Sequence, residues 1–125
     1  MTMEELRDTA AKKVHFRKLS KFTSVAEVAA SLLTDKGNVY TGVNIDTACG
    51  MGFCAEHSAI AQMVTNGETR IVRIVAVGPG GKVLPPCGRC REFIYQINKD
   101  NIDAEVMIEG NNTVKLRDLL PHLWS

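Results

Sequence analysis

The stretch "RIVRIVAVG", residues 70–78, is the reading on which the fold turns. It is a nearly continuous run of Ile, Val and Ala closed by "PGG" at 79–81, which describes a β-strand with no polar face. Such a strand lies in the middle of a sheet with helices over both sides. The neighbouring segments supply that cover. From Cys54 to Val64, Ile60, Met63 and Val64 share one helical face, and Asn66-Gly67 provide a left-handed stop. On the other side, "PPCGRCREFIYQINK" (85–99) begins a helix, because two prolines suit its entry and Phe93, Ile94 and Ile97 share a face.

Further out, a turn at Asp35, Lys36, Gly37 and Asn38 joins "SVAEVAASLLT" to the β-branched "VYTGVNI", a hairpin. Residues 3–19 carry Leu6, Ala10 and Val14 at i+4 spacing among charged residues, an amphipathic helix with one buried stripe. Apolar and polar residues alternate from Ile102 to Ile108, a half-buried strand, and "LRDLLP" forms a short helix before Pro121. The predicted order is helix, two strands, helix, strand, helix, strand, helix. It places the chain in the α/β class, as one domain over residues 1–125 with a sheet sandwiched between helices.

Composition excludes several functions. Fifteen basic and fourteen acidic residues leave a formal charge of +1, which provides no global attraction for a polyanion. The expected partner is a small soluble molecule, with no nucleic acid and no membrane. The basic tract from Lys12 to Lys21 reads as a solvated face. The start "MTMEELRDTAAKK" lacks the apolar core of a secretory signal, so a cytoplasmic address is expected. In a reducing compartment the four cysteines, Cys49, Cys54, Cys87 and Cys90, point to metal binding or chemistry rather than disulfides.

Cys54 and the Cys87/Cys90 pair fall at the starts of the two helices that flank the central strand. Helix N-termini carry partial positive charge and free N–H groups, which favour thiolate over thiol. Cys87 and Cys90 are three apart and share one side of the first turn, so both sulfurs can reach one ion. Three thiolates with an open fourth position describe a catalytic zinc; four protein ligands describe a closed structural one. Cys49 and His57 are the two candidates to close the site. Glu56, in the same first turn, is either a dipole-favoured surface acid or a proton carrier beside the metal.

Cys-Ala-Glu at one helix start, then a strand, then Pro-Cys-x-x-Cys at the next helix start is the two-part zinc deaminase signature, with cysteine in place of the usual histidine. Through "TGVNID", "GFCAEHSAIA" and "LPPCGRCREF" the chain resembles the cytidine deaminase family from about Ser24 to Trp124, and within it the small branch that includes blasticidin S deaminases. The resemblance implies a three-layer sandwich with a mixed five-stranded sheet and helices on both faces. It also implies a homotetramer, one zinc per subunit held by Cys54, Cys87 and Cys90, and hydrolytic removal of the 4-amino group of a cytosine nucleoside. Glu56 is then the proton shuttle. Asn44 and Asp46 match the pair that holds the sugar hydroxyls, and Ala55 belongs to the substrate contacts. His57, Arg89 and Arg91 are expected to offset the excess negative charge of three thiolates.

Departures from the family pattern bear on specificity. Asp46 is one methylene shorter than the family's glutamate, and Ala26 takes the place of a substrate-contacting phenylalanine. Trp124 matches the tryptophan near the end of the antibiotic-deaminating relatives. Two other readings make distinct predictions: a structural zinc module closed by Cys49, for which Glu56 is dispensable, and a nucleic-acid editing deaminase, which requires binding to a single strand.

Overall fold

Strand β4 (Ile71–Val77) occupies the middle of the sheet in the computed structural model, which describes residues 1–125. The long strands run in the order β3 (Val39–Thr47), β2 (Thr23–Thr34), β4, β6 (Glu105–Glu109), β7 (Asn112–Lys115). The β4–β6 pair is parallel and the other pairs are antiparallel, which makes the sheet mixed. Two short strands, β1 (Arg17–Lys18) against β2 and β5 (Val83–Leu84) against β4, bring the total to seven. The resemblance implied five strands and the segment-by-segment reading gave four: β7 is a strand that reading did not include, and β1 and β5 are two-residue edges that periodicity cannot register.

Period-2 alternation sorts the apolar side chains of β4 into two cores. Ile74 and Ala76 join Ala59, Ile60 and Met63 of α2 (Ala55–Thr65), Ile94 of α3 (Gly88–Ile97) and Leu116 of α4 (Leu116–Leu119). Val75 and Val77 point the other way, onto Met3, Leu6 and Ala10 of α1 (Met3–Ala11). Helices therefore cover both faces, as the apolar run at 70–78 requires.

Helix α1 begins with a capping box: Glu5 N–H donates to Thr2 Oγ1 at 3.1 Å, and Thr2 N–H to Glu5 Oε1 at 3.0 Å. It ends at Ala11, eight residues short of the expected span to 19. Past that point the chain runs out as β1, whose Arg17 and Lys18 pair with Val25 and Ser24 of β2. Tertiary pairing overrides the continued i+4 pattern there. The strand expected at 102–108 begins only at Glu105, because Lys99–Asp103 coils into a 3₁₀ turn.

Two local features set the position of α2. A Cβ on Gly42 of β3 would meet Ala59 N at 2.3 Å, so the glycine lets helix and strand backbones approach closely. Strand β2 carries an irregularity between Val25 and Ala29, with Ala26 in the left-handed region at φ 63°. The bulge re-aims Val28, whose N–H donates to Asn44 Oδ1 at 2.9 Å.

Candidate active site

The carboxyl end of β4 and the N-termini of α2 and α3 converge on one pocket of about 410 Å³. The β4–α3–β6 unit is parallel, and ligands of α/β sheets bind outside the carboxyl ends of such strands. Cys54 and Cys87 are the N-cap residues of α2 and α3, which places both sulfurs where the helix dipoles favour negative charge.

The three expected sulfurs lie together: Cys54 Sγ is 3.6 Å from Cys87 Sγ, which is 3.5 Å from Cys90 Sγ. All four cysteines are free. With zinc–sulfur bonds of about 2.3 Å, thiolates around one tetrahedral zinc lie about 3.8 Å apart, so this donor set fits that ion after a small relaxation. Burial pushes the Cys54 and Cys90 thiols up, Cys90 far up. Burial also pushes Cys87 up, but the N–H of Cys90, the two neighbouring sulfurs and the N–H of Arg89 more than offset it. Cys87 is therefore the thiol most ready to ionise before a metal arrives.

His57 comes closer to the sulfurs than its position relative to Glu56 implied. Its Nδ1 is 3.3 Å from Cys90 Sγ, and the ligand atoms of Cys54, His57 and Cys90 lie within 4.8 Å of one another. The ring stacks on Phe93 with centroids 4.2 Å apart and planes 2° off parallel. Burial, then the Arg89 charge, lowers its pKa, which favours the neutral ring. The sequence signal was the i, i+3 step from Cys54, which puts both residues on one side of α2. Cys49, the other candidate to close the site, is exposed in the Ala48–Gly50 turn at φ 63° and stands outside the donor group.

Glu56 is 6% exposed, and burial raises its pKa above the usual carboxylate range. It lines the pocket together with Asn44, Asp46, Ala55 and Arg89. Arg91 does not line it; its Nε donates to Pro86 O at 2.9 Å and ties the loop before Cys87 to α3. Ala26 is fully buried away from the pocket, and Val28 forms the wall at that point because of the bulge. No signal in the sequence marked Val28. Gly52 is needed where the loop pairs with β3: Phe53 N–H donates to Ile45 O, and a Cβ on Gly52 would lie 1.9 Å from that oxygen.

Three cysteine sulfurs on two facing helix starts, with a buried carboxylate and a concave pocket beside them, define a metal-assisted hydrolytic site. Residues 3–107 match the family model for the cytidine and deoxycytidylate deaminase zinc-binding region. The chain is 34% identical over 95 residues to the cytidine deaminase of Mycobacterium tuberculosis, covering 75% of this chain and 69% of that one. It is 32% identical over 106 residues to the blasticidin-S deaminase of Bacillus cereus, covering 75% and 74%. The crystal structure of the Mycobacterium tuberculosis cytidine deaminase superposes with a TM-score of 0.83 at 27% identity, over 100% of this chain and 98% of that one. The chain belongs to the cytidine and deoxycytidylate deaminase family, whose members are zinc-dependent aminohydrolases. No helix is long and apolar enough to cross a membrane.

Proposed function

We propose that the chain hydrolyses the 4-amino group of a cytosine nucleoside to the 4-oxo form with release of ammonia, using Glu56 as proton shuttle. The observation that carries this reading is the 6% exposed Glu56 carboxylate on the pocket wall, two residues from Cys54 in the first turn of α2. Cys54, Cys87 and Cys90 are the residues that hold the zinc, which when bound supplies the Lewis acidity that activates water at neutral pH. Glu56 takes a proton from the attacking water and passes it to N3 of the ring, then carries the second proton from the new 4-hydroxyl to the amine as the C4–N bond breaks and ammonia leaves. One carboxylate can serve both partners because burial keeps its pKa raised and it lines the pocket that receives the base.

Asn44 orients the sugar. Its Oδ1 is occupied by the Val28 N–H, so its amide nitrogen is the group free to donate to a hydroxyl oxygen. Asp46, on the same strand face two residues on, accepts from a second hydroxyl. The backbone of Ala55, in the first turn of α2, contacts the base. Arg89 offsets the charge of the thiolates, the His57 ring is placed to hydrogen-bond Cys90 Sγ, and Arg91 holds the Cys87 loop in place.

Residues 1–125 act as one domain in this reading, since one sheet carries both cores. Exposed Phe16, Leu19, Phe22, Met51 and Trp124 are large apolar side chains suited to subunit contacts, in keeping with a homotetramer in the cytoplasm, where thiols stay reduced. Light scattering on the purified protein measures the assembly.

The deciding experiment is ammonia release from cytidine and from blasticidin S by zinc-loaded protein, beside a Glu56→Gln variant that retains its zinc. Release by the parent and a loss of at least about 100-fold in the variant supports the shuttle. Equal rates would remove Glu56 from the chemistry, and no release of ammonia from either compound would refute the activity.

A further inference from the structure

His57 meets the sulfurs from the side away from the pocket. Cys54 and Cys87 line the pocket together with Glu56, whereas neither Cys90 nor His57 belongs to its wall. The imidazole therefore comes in across Cys90 and leaves the position that faces Glu56 open. It is also fixed to the same two helices as the sulfurs. His57 is in the first turn of α2, three residues after Cys54, and its ring stacks on Phe93 of α3, the helix that carries Cys90.

From there the ring can reach a shared ion. Its Nδ1 is 3.3 Å from Cys90 Sγ, and an imidazole nitrogen and the sulfurs of Cys54 and Cys90 all lie within 4.8 Å of one another. Zinc bonds of about 2.3 Å to sulfur and about 2.05 Å to imidazole nitrogen put two tetrahedral ligands about 3.6 Å apart, so movements of about 1 Å close this set onto one ion. Two cysteines and a histidine are a complete protein set for a three-ligand zinc site. The sulfurs also differ in exposure: Cys90 is fully buried, Cys54 is half-buried and Cys87 is exposed. A thiol reagent in solvent meets Cys87 first.

We infer that His57 is a reserve zinc ligand. It stands outside the coordination shell while Cys87 is bound, and takes the third place beside Cys54 and Cys90 when Cys87 is lost, so that the ion is retained. This rests on the three-cysteine reading of the zinc site.

The test uses Cys87→Ala and Cys87→Ser, each alone and combined with His57→Phe, loaded with zinc and in parallel with cobalt(II). Serine suits the N-cap place that Cys87 holds, and phenylalanine keeps a ring against Phe93, so the variants are expected to fold, which their melting midpoints check. His57→Phe alone should keep about one zinc per chain, with affinity weakened by no more than about 100-fold, as loss of a hydrogen bond to a ligand implies. Cys87→Ala and Cys87→Ser should also keep their zinc, and only the double variants should lose it. In the cobalt proteins the sulfur-to-metal charge-transfer band should fall by about one third from parent to Cys87→Ala, as three thiolates become two, while the visible bands stay those of a four-coordinate ion. Folded Cys87 variants that bind no zinc, or that hold it equally well with and without His57, would overturn the reserve role. A charge-transfer band of equal strength in the parent and in Cys87→Ala would refute the three-cysteine reading itself, and the reserve role with it.

Discussion

Gly42→Ala tests how the active site is built, because the residue lies on β3 and its effect reaches the metal site through the body of α2. The added Cβ would sit 2.3 Å from Ala59 N, 2.6 Å from Ser58 Cβ and 2.7 Å from Ser58 C. Comfortable contacts between heavy atoms begin at about 3.5 Å, so the helix must retreat by about 1 Å. Backbone atoms form most of this obstacle, and no rotamer change relieves it. Overpacking of this kind costs about 1–3 kcal/mol. For 125 residues the unfolding entropy is about 260 cal/mol/K, so the melting midpoint should fall by about 4–11 °C. Ser58 lies one residue from His57 and two from Glu56, and a misplacement of about 1 Å can cost about 100-fold in rate. Calorimetry, zinc content and turnover are measured on the variant and on Gly37→Ala, where φ is +82° but a Cβ meets nothing within 4 Å. Gly37→Ala should lower stability through backbone strain alone and leave zinc and turnover unchanged. A Gly42→Ala protein with an unshifted midpoint and full turnover would refute the reasoning.

Cys90→Ser should leave less than one zinc per chain by mass spectrometry of the metal, because a fully buried sulfur is replaced by a poorer ligand for this ion. Chelation of the parent should lower both its melting midpoint and its turnover, and added zinc should restore them. Glu68 is 5% exposed and accepts from Tyr40 OH at 2.5 Å and Asn38 Nδ2 at 2.8 Å, and the Tyr40 bond is the main reason its carboxyl is held below the usual range. Its folded pKa lies below its unfolded one, so its stabilisation is complete above the ordinary carboxylate value and is lost as pH falls through the folded value. Glu68→Gln should flatten the acid side of the stability–pH curve, and denaturant titrations at several pH values measure it. Tyr40 is raised by the same bond, so its contribution is lost on the alkaline side, and Tyr40→Phe should remove that loss.

Much of the fold was legible because its core strand leaves little choice. Apart from Arg73, residues 71–77 are apolar on both faces, and only a layer on each side can bury them. Spacing also brought out a candidate ligand pair: the i, i+3 cysteines 87 and 90 at a helix start need no long-range information to bring their sulfurs together. Helix α1 shows where such reading stops, since Val14 continues the i+4 pattern beyond Ala11 but the chain leaves the helix to pair β1 with β2. Ala26 shows the same limit within the site. It occupies a substrate-contacting position by resemblance, yet the left-handed bulge buries it and turns Val28 to the pocket instead.

The sequence by itself determined the class of fold, the pairing of Cys87 with Cys90 and the placing of Glu56 beside Cys54, because each depends on periodicity or on spacing within one or two helical turns. Only the tertiary structure decided that His57 rather than Cys49 stands among the donors and that Asn44 is held by the bulge. These depend on where separate strands and helices meet, and such meetings are set by backbone close approach at Gly42 and Gly52 and by strand register.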